Sequence, residues 1–337
     1  MVFSPCWRQE SAARIPAPPA PTTITSAENC CNYGPCRYKY PQAFTGKPTL
    51  AGEEFLQPDL DALTGFLQQA LDEDIGSGDV TCLALIPESL QADALLVPRE
   101  PMVMCGGLVA ARIFALVDER ISCEPLVADG TVAPAMEPIM RVRGPARAVL
   151  TGERTALNML QRMAGVASLS RRYADAIAGT KAVLLDTRKT IPGLRVLDKY
   201  ATATGGAQNH RMGLYDMVLI KDNHIALVGS VAEAVKRART AYPALRVEVE
   251  CDTLEQLHEA LDAGPDVIML DNMQPAQLRE AVALTKGRIK LEASGGVSLE
   301  SIRTIAETGV DYISCGRLTH SAVAVDIGMD IEFRVLV

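Results

Sequence analysis

Four cations stand out in two short stretches: Arg188 and Lys189 in LLDTRKTIPGLR, and Arg211 and Lys221 in GGAQNHRMGLYDMVLIKDNH. Arginine offers a planar fork that fits a carboxylate, and lysine a compact point charge, so a cleft gathering all four suits a ligand with more than one negative group. Pairing of Arg188 and Lys189 with nearby Asp198 or Glu153 is the competing reading. His210 and His224 flank the apolar run between Arg211 and Lys221 and invite a metal reading. With only 4 histidines in the chain, no HxxxH spacing, and His258 predicted to lie on a surface helix, structural zinc is disfavoured.

Glu250 and Asp271 close or follow two later apolar runs, in VEVEC and MLDNM. Among so many cations these carboxylates suit electrostatic work better than proton shuttling. They can hold ribose hydroxyls, orient a diphosphate-bound Mg2+ ion, or stabilise positive charge developing on a ribose carbon. ASGG at Ala293 to Gly296 and SCG at Ser314 to Gly316 supply glycines whose backbone amides can approach phosphate oxygens. Neither is a Walker or dinucleotide fingerprint, and either by itself reads equally well as a turn.

These residues need a common scaffold. Six runs rich in Val, Ile and Leu are AVLLD ending at Asp186, MVLI at Ile220, LRVEVE at Glu250, VIML at Leu270, RIKLE at Glu292 and DYIS at Ser314. The last four recur at nearly constant intervals, each holding an amphipathic segment such as TLEQLHEALDAG from Thr253 to Gly264. That pattern predicts repeated βα units and a parallel sheet. Asp186, Arg188, Lys189, Lys221, Glu250, Asp271, Glu292 and Ser314 then converge at the C-terminal ends of the strands, where barrel enzymes assemble their chemistry. Six runs instead of eight predict an incomplete barrel.

Upstream, Leu60, Leu63, Phe66, Leu67 and Leu71 recur at helical spacing, and EDIGSGDVT reads as the turn that follows. From Ala92 to Leu150 the short runs ADALLVP, PLVADGTV, PIMRVRG and RAVLTG read as a small sheet, with one helix near Leu108 to Val117. Arg154 to Ile177 is helical again, Leu157, Leu160 and Met163 sharing a core face.

The 337 residues carry a net charge of -8, which opposes general nucleic-acid binding but not a small anionic ligand. No apolar run reaches the roughly 18 residues of a membrane helix. Nine cysteines, an odd number, fit reduced thiols and a cytoplasmic setting. Cys30, Cys31 and Cys36 in CCNYGPC lack the second pair that a metal site needs. Residues 1–53, with RIPAPPAPTTITS, show neither core periodicity nor a signal-peptide core and read as a disordered extension.

The motifs EDIGSGDVT, GERTALNMLQRMAG, LLDTRKTIPGLR, GGAQNHRMGLYDMVLIKDNH, VEVEC, MLDNM, LEASGG and ISCGRLTH, in this order, resemble the quinolinate phosphoribosyltransferases, also called nicotinate-nucleotide pyrophosphorylases. The resemblance covers almost everything from about residue 56 onward. It implies an α/β fold: an N-terminal α/β sandwich over 54–165, an open, incomplete six-stranded α/β barrel over 166–316, and a return to the sandwich over 317–337, with EFRVLV as an added strand. It implies transfer of a phosphoribosyl group from phosphoribosyl diphosphate to quinolinate with Mg2+, yielding nicotinate mononucleotide, diphosphate and carbon dioxide in NAD synthesis.

By the same resemblance, Arg154, Arg188, His210, Arg211 and Lys221 form the quinolinate pocket. Lys189, Glu250 and Asp271 are catalytic and face phosphoribosyl diphosphate, the two acids also facing the metal, directly or through water. Ser294, Gly295, Gly296 and Gly316 bind phosphate, His320 is a lesser candidate, and His224 has no role. Arg154 is expected to reach the site of a neighbouring subunit in an obligate homodimer, with larger assemblies left open. AGVAS departs from the SGIAT common in the family, putting Ala164 in place of a serine, and the extension has no family counterpart. Three other readings are a nicotinate phosphoribosyltransferase without decarboxylation, a non-catalytic phosphate-metabolite binder, and an interaction role for the N-terminal segment.

Overall fold

The computed structural model describes residues 57–331. The extension over 1–53, the CCNYGPC cluster and EFRVLV lie outside the described residues. The first half comprises α1 (Leu60–Ile75), α2 (Val80–Leu85), β1 (Gln91–Pro98), β2 (Met102–Val103), α3 (Gly107–Val117), β3 (Ser122–Pro125), β4 (Val132–Ala133), β5 (Met140–Pro145) and α4 (Ala146–Ala176). Asp59 starts α1 by accepting the amides of Asp61 and Ala62, and Leu63, Leu67 and Leu71 bury its apolar stripe. Asp129 accepts the amides of Gly106 and Gly107 and so seats the start of α3.

Two of the β-like runs resolve differently. RAVLTG is the beginning of α4, a 31-residue helix, because Val149, Gly152 and Ala156 are buried at helical and not alternating spacing. Of PLVADGTV only Pro125, the end of β3, and Val132, the start of β4, lie in strands, the rest being the turn that carries Asp129. β3 escapes notice in the sequence because its residues are mostly exposed, leaving no apolar alternation.

The second half contains β6 (Val183–Leu185), α5 (Arg195–Thr204), β7 (Val218–Ile220), α6 (Asp222–Val228), α7 (Val231–Ala241), β8 (Val247–Cys251), α8 (Leu254–Ala263), β9 (Val267–Asp271), α9 (Pro275–Thr285), β10 (Lys290–Ser294), α10 (Leu299–Ala306), β11 (Tyr312–Ser314), α11 (Arg317–His320) and β12 (Ile327–Ile331). β6 to β11 are the six predicted runs, and they form one parallel sheet in the order β6-β11-β10-β9-β8-β7. β6 and β7 are its two edges, so the described residues make an open α/β barrel. Capping is local: Thr253 and Gln256 form a capping box on α8, which Gly264 ends in a left-handed conformation.

Register explains why polar groups share one face. Leu184, Ile313, Ala293, Leu270 and Cys251 lie side by side across five strands. They join a core with Val235, Leu257, Leu278 and Ile302 of the covering helices. Residues one step along each strand therefore point the other way, into the barrel: Glu248 and Glu250 on β8, Asp271 on β9, Glu292 and Ser294 on β10.

The smaller sheet runs β12-β1-β5-β3, all antiparallel. Arg99 grips Asp330 with two hydrogen bonds of 3.1 and 2.8 Å and fixes β12 against β1. α4 serves both halves: Leu157, Leu160 and Met163 belong to the core under this sheet, and Tyr173 to that of the barrel.

Candidate active site

The loop after β6 and the loop before β7 are built around one buried carboxylate. Asp186 accepts from Lys199 Nζ at 2.5 Å, the His210 amide at 2.7 Å, Asn209 Nδ2 at 2.8 Å and Thr202 Oγ1 at 3.1 Å. Lys199 Nζ also donates to the His210 carbonyl at 3.0 Å. This network places His210 and Arg211 at the mouth of the barrel. Sequence reading placed Asp186 at a strand end but missed Lys199, whose helical context gives no sign of a fully buried ammonium.

His210 has only 9% of its side chain exposed. Its Nδ1 accepts the Arg211 amide at 2.7 Å, so the ring proton resides on Nε2, which faces Glu248 Oε2 at 3.0 Å and Glu292 Oε2 at 3.6 Å. Burial lowers the His210 pKa and favours the neutral ring. His210, Glu248 and Glu292 are the one group of three metal-ligating side chains among the described residues. The tautomer argues against a metal there, because a neutral imidazole needs its Nε2 lone pair free to bind an ion.

Burial raises Glu248 to about 7, and burial together with Glu248 raises Glu292 to about 8. Oε1 of each is buried with no donor in reach, and the two carboxyls hydrogen-bond one another when one is protonated. The V-E-V-E alternation was the available signal for Glu248, since it puts this residue on the same inner face as Glu250.

Arg188 and Arg211 lie close enough for their charges to act on one another. Burial first, and then the charge of Arg188, lower the Arg211 pKa. Arg211 Nη1 donates to the Met217 carbonyl at 3.2 Å, which aims the fork. Asp198, a candidate partner for Arg188 and Lys189, is held instead by Arg162 at 3.0 Å. Among the described residues neither Arg188, Lys189 nor Arg211 makes a salt bridge, so the competing reading, in which Arg188 and Lys189 pair with Asp198 or Glu153, fails.

Lys221 Nζ pairs with Glu250 Oε2, which joins two residues assigned from the sequence to opposite ends of the pocket. Asp271 and Ser294 are register partners on adjacent strands, and Asp271 Oδ2 accepts from Asn272 at 2.6 Å. Gly295 and Gly296 have φ of +90° and +62°, and a Cβ on Gly295 would strike the Asn272 side chain. Lys189 lies across Gly316, where a Cβ would come 2.7 Å from Lys189 Cδ and 3.1 Å from the His320 ring. Thr319 Oγ1 bonds the Lys189 carbonyl at 2.8 Å and fixes this crossing.

His224 is exposed, and its Nδ1 accepts the Lys221 amide at 2.9 Å as part of the α6 cap, a local structural task. His258 is exposed on α8. Arg154 lies on α4, 59% exposed, and pairs loosely with Glu153 at 4.0 Å.

An open parallel barrel whose strand ends collect unpaired guanidiniums, carboxylates and glycine turns defines an enzyme for small, multiply anionic substrates. The N-terminal and C-terminal domain models of quinolinate phosphoribosyltransferase match residues 79–164 and 166–330. A probable nicotinate-nucleotide pyrophosphorylase (carboxylating) of Bacillus subtilis is 45% identical over 260 residues, 77% of this chain and 90% of that protein. The Mycobacterium leprae nicotinate-nucleotide pyrophosphorylase (carboxylating) is 44% identical over 281 residues, 81% of this chain and 98% of that protein. The structure of the Francisella tularensis nicotinate-nucleotide pyrophosphorylase aligns with a TM-score of 0.80 at 37% identity, covering 84% of this chain and 100% of that one. The chain belongs to the quinolinate phosphoribosyltransferase family.

Proposed function

We propose that the chain transfers the phosphoribosyl group of phosphoribosyl diphosphate to quinolinate and releases diphosphate and carbon dioxide, leaving nicotinate mononucleotide. The observation that carries this reading is that Arg188 and Arg211, whose charges act on one another, make no salt bridge among the described residues. They suit a rigid dicarboxylate, and the carboxylating reaction in the relatives' names favours quinolinate over nicotinate.

Arg188, Arg211 and Lys221 hold the two carboxylates, with His210 beneath them. Lys189, Ser294, Gly295, Gly296 and Gly316 hold the phosphates through charge and open backbone. Glu250 and Asp271 face the ribose hydroxyls. As diphosphate leaves with its bonding electron pair, the ribose carbon gains positive charge, which these two carboxylates stabilise, and the pyridine nitrogen attacks it. The positively charged ring then accepts the electrons left behind when the adjacent carboxylate departs as carbon dioxide, and the ring carbon takes a proton. Placement and electrostatics supply the rate without a covalent enzyme intermediate.

Glu250 and Asp271 also fit Mg2+, which is commonly held by one or two carboxylates together with substrate phosphates. Bound with the diphosphate, the ion would neutralise charge on the leaving group. Exposure of Arg154 supports a homodimer in which this residue completes the neighbouring site. The five described cysteines are all unpaired, which supports a reducing, cytoplasmic setting. Among the described residues no helix is long and apolar enough to cross a membrane.

The test offers quinolinate and nicotinate in parallel, with diphosphate and carbon dioxide both measured. Stoichiometric release of both from quinolinate is expected. Turnover of nicotinate alone would sink the substrate assignment.

A further inference from the structure

Beneath the cationic mouth, the barrel interior holds a cavity of about 80 Å3 lined by Arg211, His210, Glu248 and Glu292. Two nearly inaccessible carboxyls under a pocket for anions are costly: each loses hydration, and when both are ionised they repel one another and the substrate. Something must offset that cost. Both carboxyls face His210, whose ring is used at both nitrogens, Nε2 by Glu248 at 3.0 Å and Nδ1 by the Arg211 amide at 2.7 Å.

We propose that Glu248, backed by Glu292, is a positioning residue for the quinolinate end of the site: by accepting the Nε2 proton of His210 it fixes Nδ1 as the acceptor that holds the Arg211 backbone. The inference rests on the functional reading above. His210 then acts as a strut between a buried carboxyl and an arginine. If the ring turned or changed tautomer, Nδ1 would lose the Arg211 amide, and the guanidinium, tied among the described residues through Nη1 to Met217, would lose its aim. Phosphate groups bind through Lys189 and the two glycine turns, none of which His210 contacts, so the effect falls on one substrate.

Two conservative variants separate reach from charge. Glu248→Gln keeps the length and an acceptor for Nε2–H, and its amide can serve as donor in the hydrogen bond to Glu292. Glu248→Asp keeps the charge but withdraws the oxygen by about one bond length, roughly 1.5 Å, beyond hydrogen-bond range. The Asp variant is expected to raise the KM for quinolinate about tenfold and that for phosphoribosyl diphosphate less than about twofold, the loss of one hydrogen bond to a placed group. The Gln variant is expected to stay near wild type for both. A harmless Asp variant, a Gln variant as damaged as Asp, or equal damage to both substrates overturns the proposal.

A second measurement does not depend on how the variants fold. Nitrogen-15 NMR of histidine-labelled wild-type protein is expected to show His210 protonated on Nε2, and protonation on Nδ1 alone overturns the proposal. Wild-type protein that releases no diphosphate from quinolinate refutes the functional reading instead, and the NMR result still decides the strut.

Discussion

Lys199 Nζ lies 2.5 Å from Asp186 Oδ1, and neither side chain has any exposed surface. The pair sits under the loop that carries His210 and Arg211, and Asp186 collects three further donors there. Lys199→Met removes one partner and leaves a buried carboxylate short of its counter-charge, a change worth about 3–5 kcal/mol. Denaturant unfolding is expected to show a loss of that size, with part of it recovered in the Lys199→Met, Asp186→Asn double variant. A single variant as stable as wild type would show that the ammonium does not carry the loop.

The two ends of the pocket predict opposite kinetic signatures. Arg188→Ala removes a charge-assisted contact to the acid, worth about 1.5–3 kcal/mol, so quinolinate KM is expected to rise about 10- to 100-fold with little change for phosphoribosyl diphosphate. Asp271→Ala is expected to lower kcat about 100-fold, of the order of losing one electrostatic stabiliser, while quinolinate binding by calorimetry stays unchanged. The same change in both substrates for either variant would dissolve the division into two ends.

Adjacent glycines on the β10 turn predict a contrast. Both have positive φ, but a Cβ at Gly295 meets Asn272 and one at Gly296 meets open space. Gly296→Ala is expected to cost only the left-handed conformation, about 1–2 kcal/mol of stability. Gly295→Ala must also displace the turn, so its KM for phosphoribosyl diphosphate is expected to rise further. Steady-state kinetics of both variants decide this, and equal values would mean that the turn yields freely.

Stability should fall as pH rises through neutrality. Glu248 and Glu292 are at about 7 and about 8 when folded, against 4.5 in the open chain. The folded state therefore keeps protons that the unfolded state has released, and the associated stability is lost as pH rises through the folded values. His210 acts in the opposite sense, since its folded value lies below 6.5 and the stability it contributes is lost as pH falls. Between pH 6.5 and about 8 the carboxyl effect dominates, and Tm is expected to decline, with a shallower decline in Glu292→Gln. A flat or rising Tm over this window would falsify the assignment.

The barrel was legible because its strands announce themselves: six Val- and Ile-rich runs, separated by helices with ordinary caps, each ending at or followed by a polar residue. Arg188, Arg211, Glu250 and Asp271 could be singled out for the same reason. Lys199 could not, because an ammonium inside a helix normally belongs to solvent, and only the fold reveals Asp186 beside it. Glu248 was hidden by strand parity, which becomes informative once the helix-covered face is known. β3 and the early start of α4 were missed where local pattern is weakest: an exposed edge strand, and a helix opening on β-branched residues.

The edge strand β12 has a consequence for how the molecule is made. Arg99 and Asp330 are 231 residues apart, yet they secure neighbouring strands of one sheet. While the chain is being synthesised, β1 emerges early and waits through the whole barrel for its partner, with its backbone donors and acceptors open on that side. An open edge of this kind can recruit other chains. Cellular folding of the N-terminal half is thus tied to completion of the last strand, and aggregation of nascent chains, not loss of a catalytic group, is the foreseeable fate of proteins truncated before Ile327.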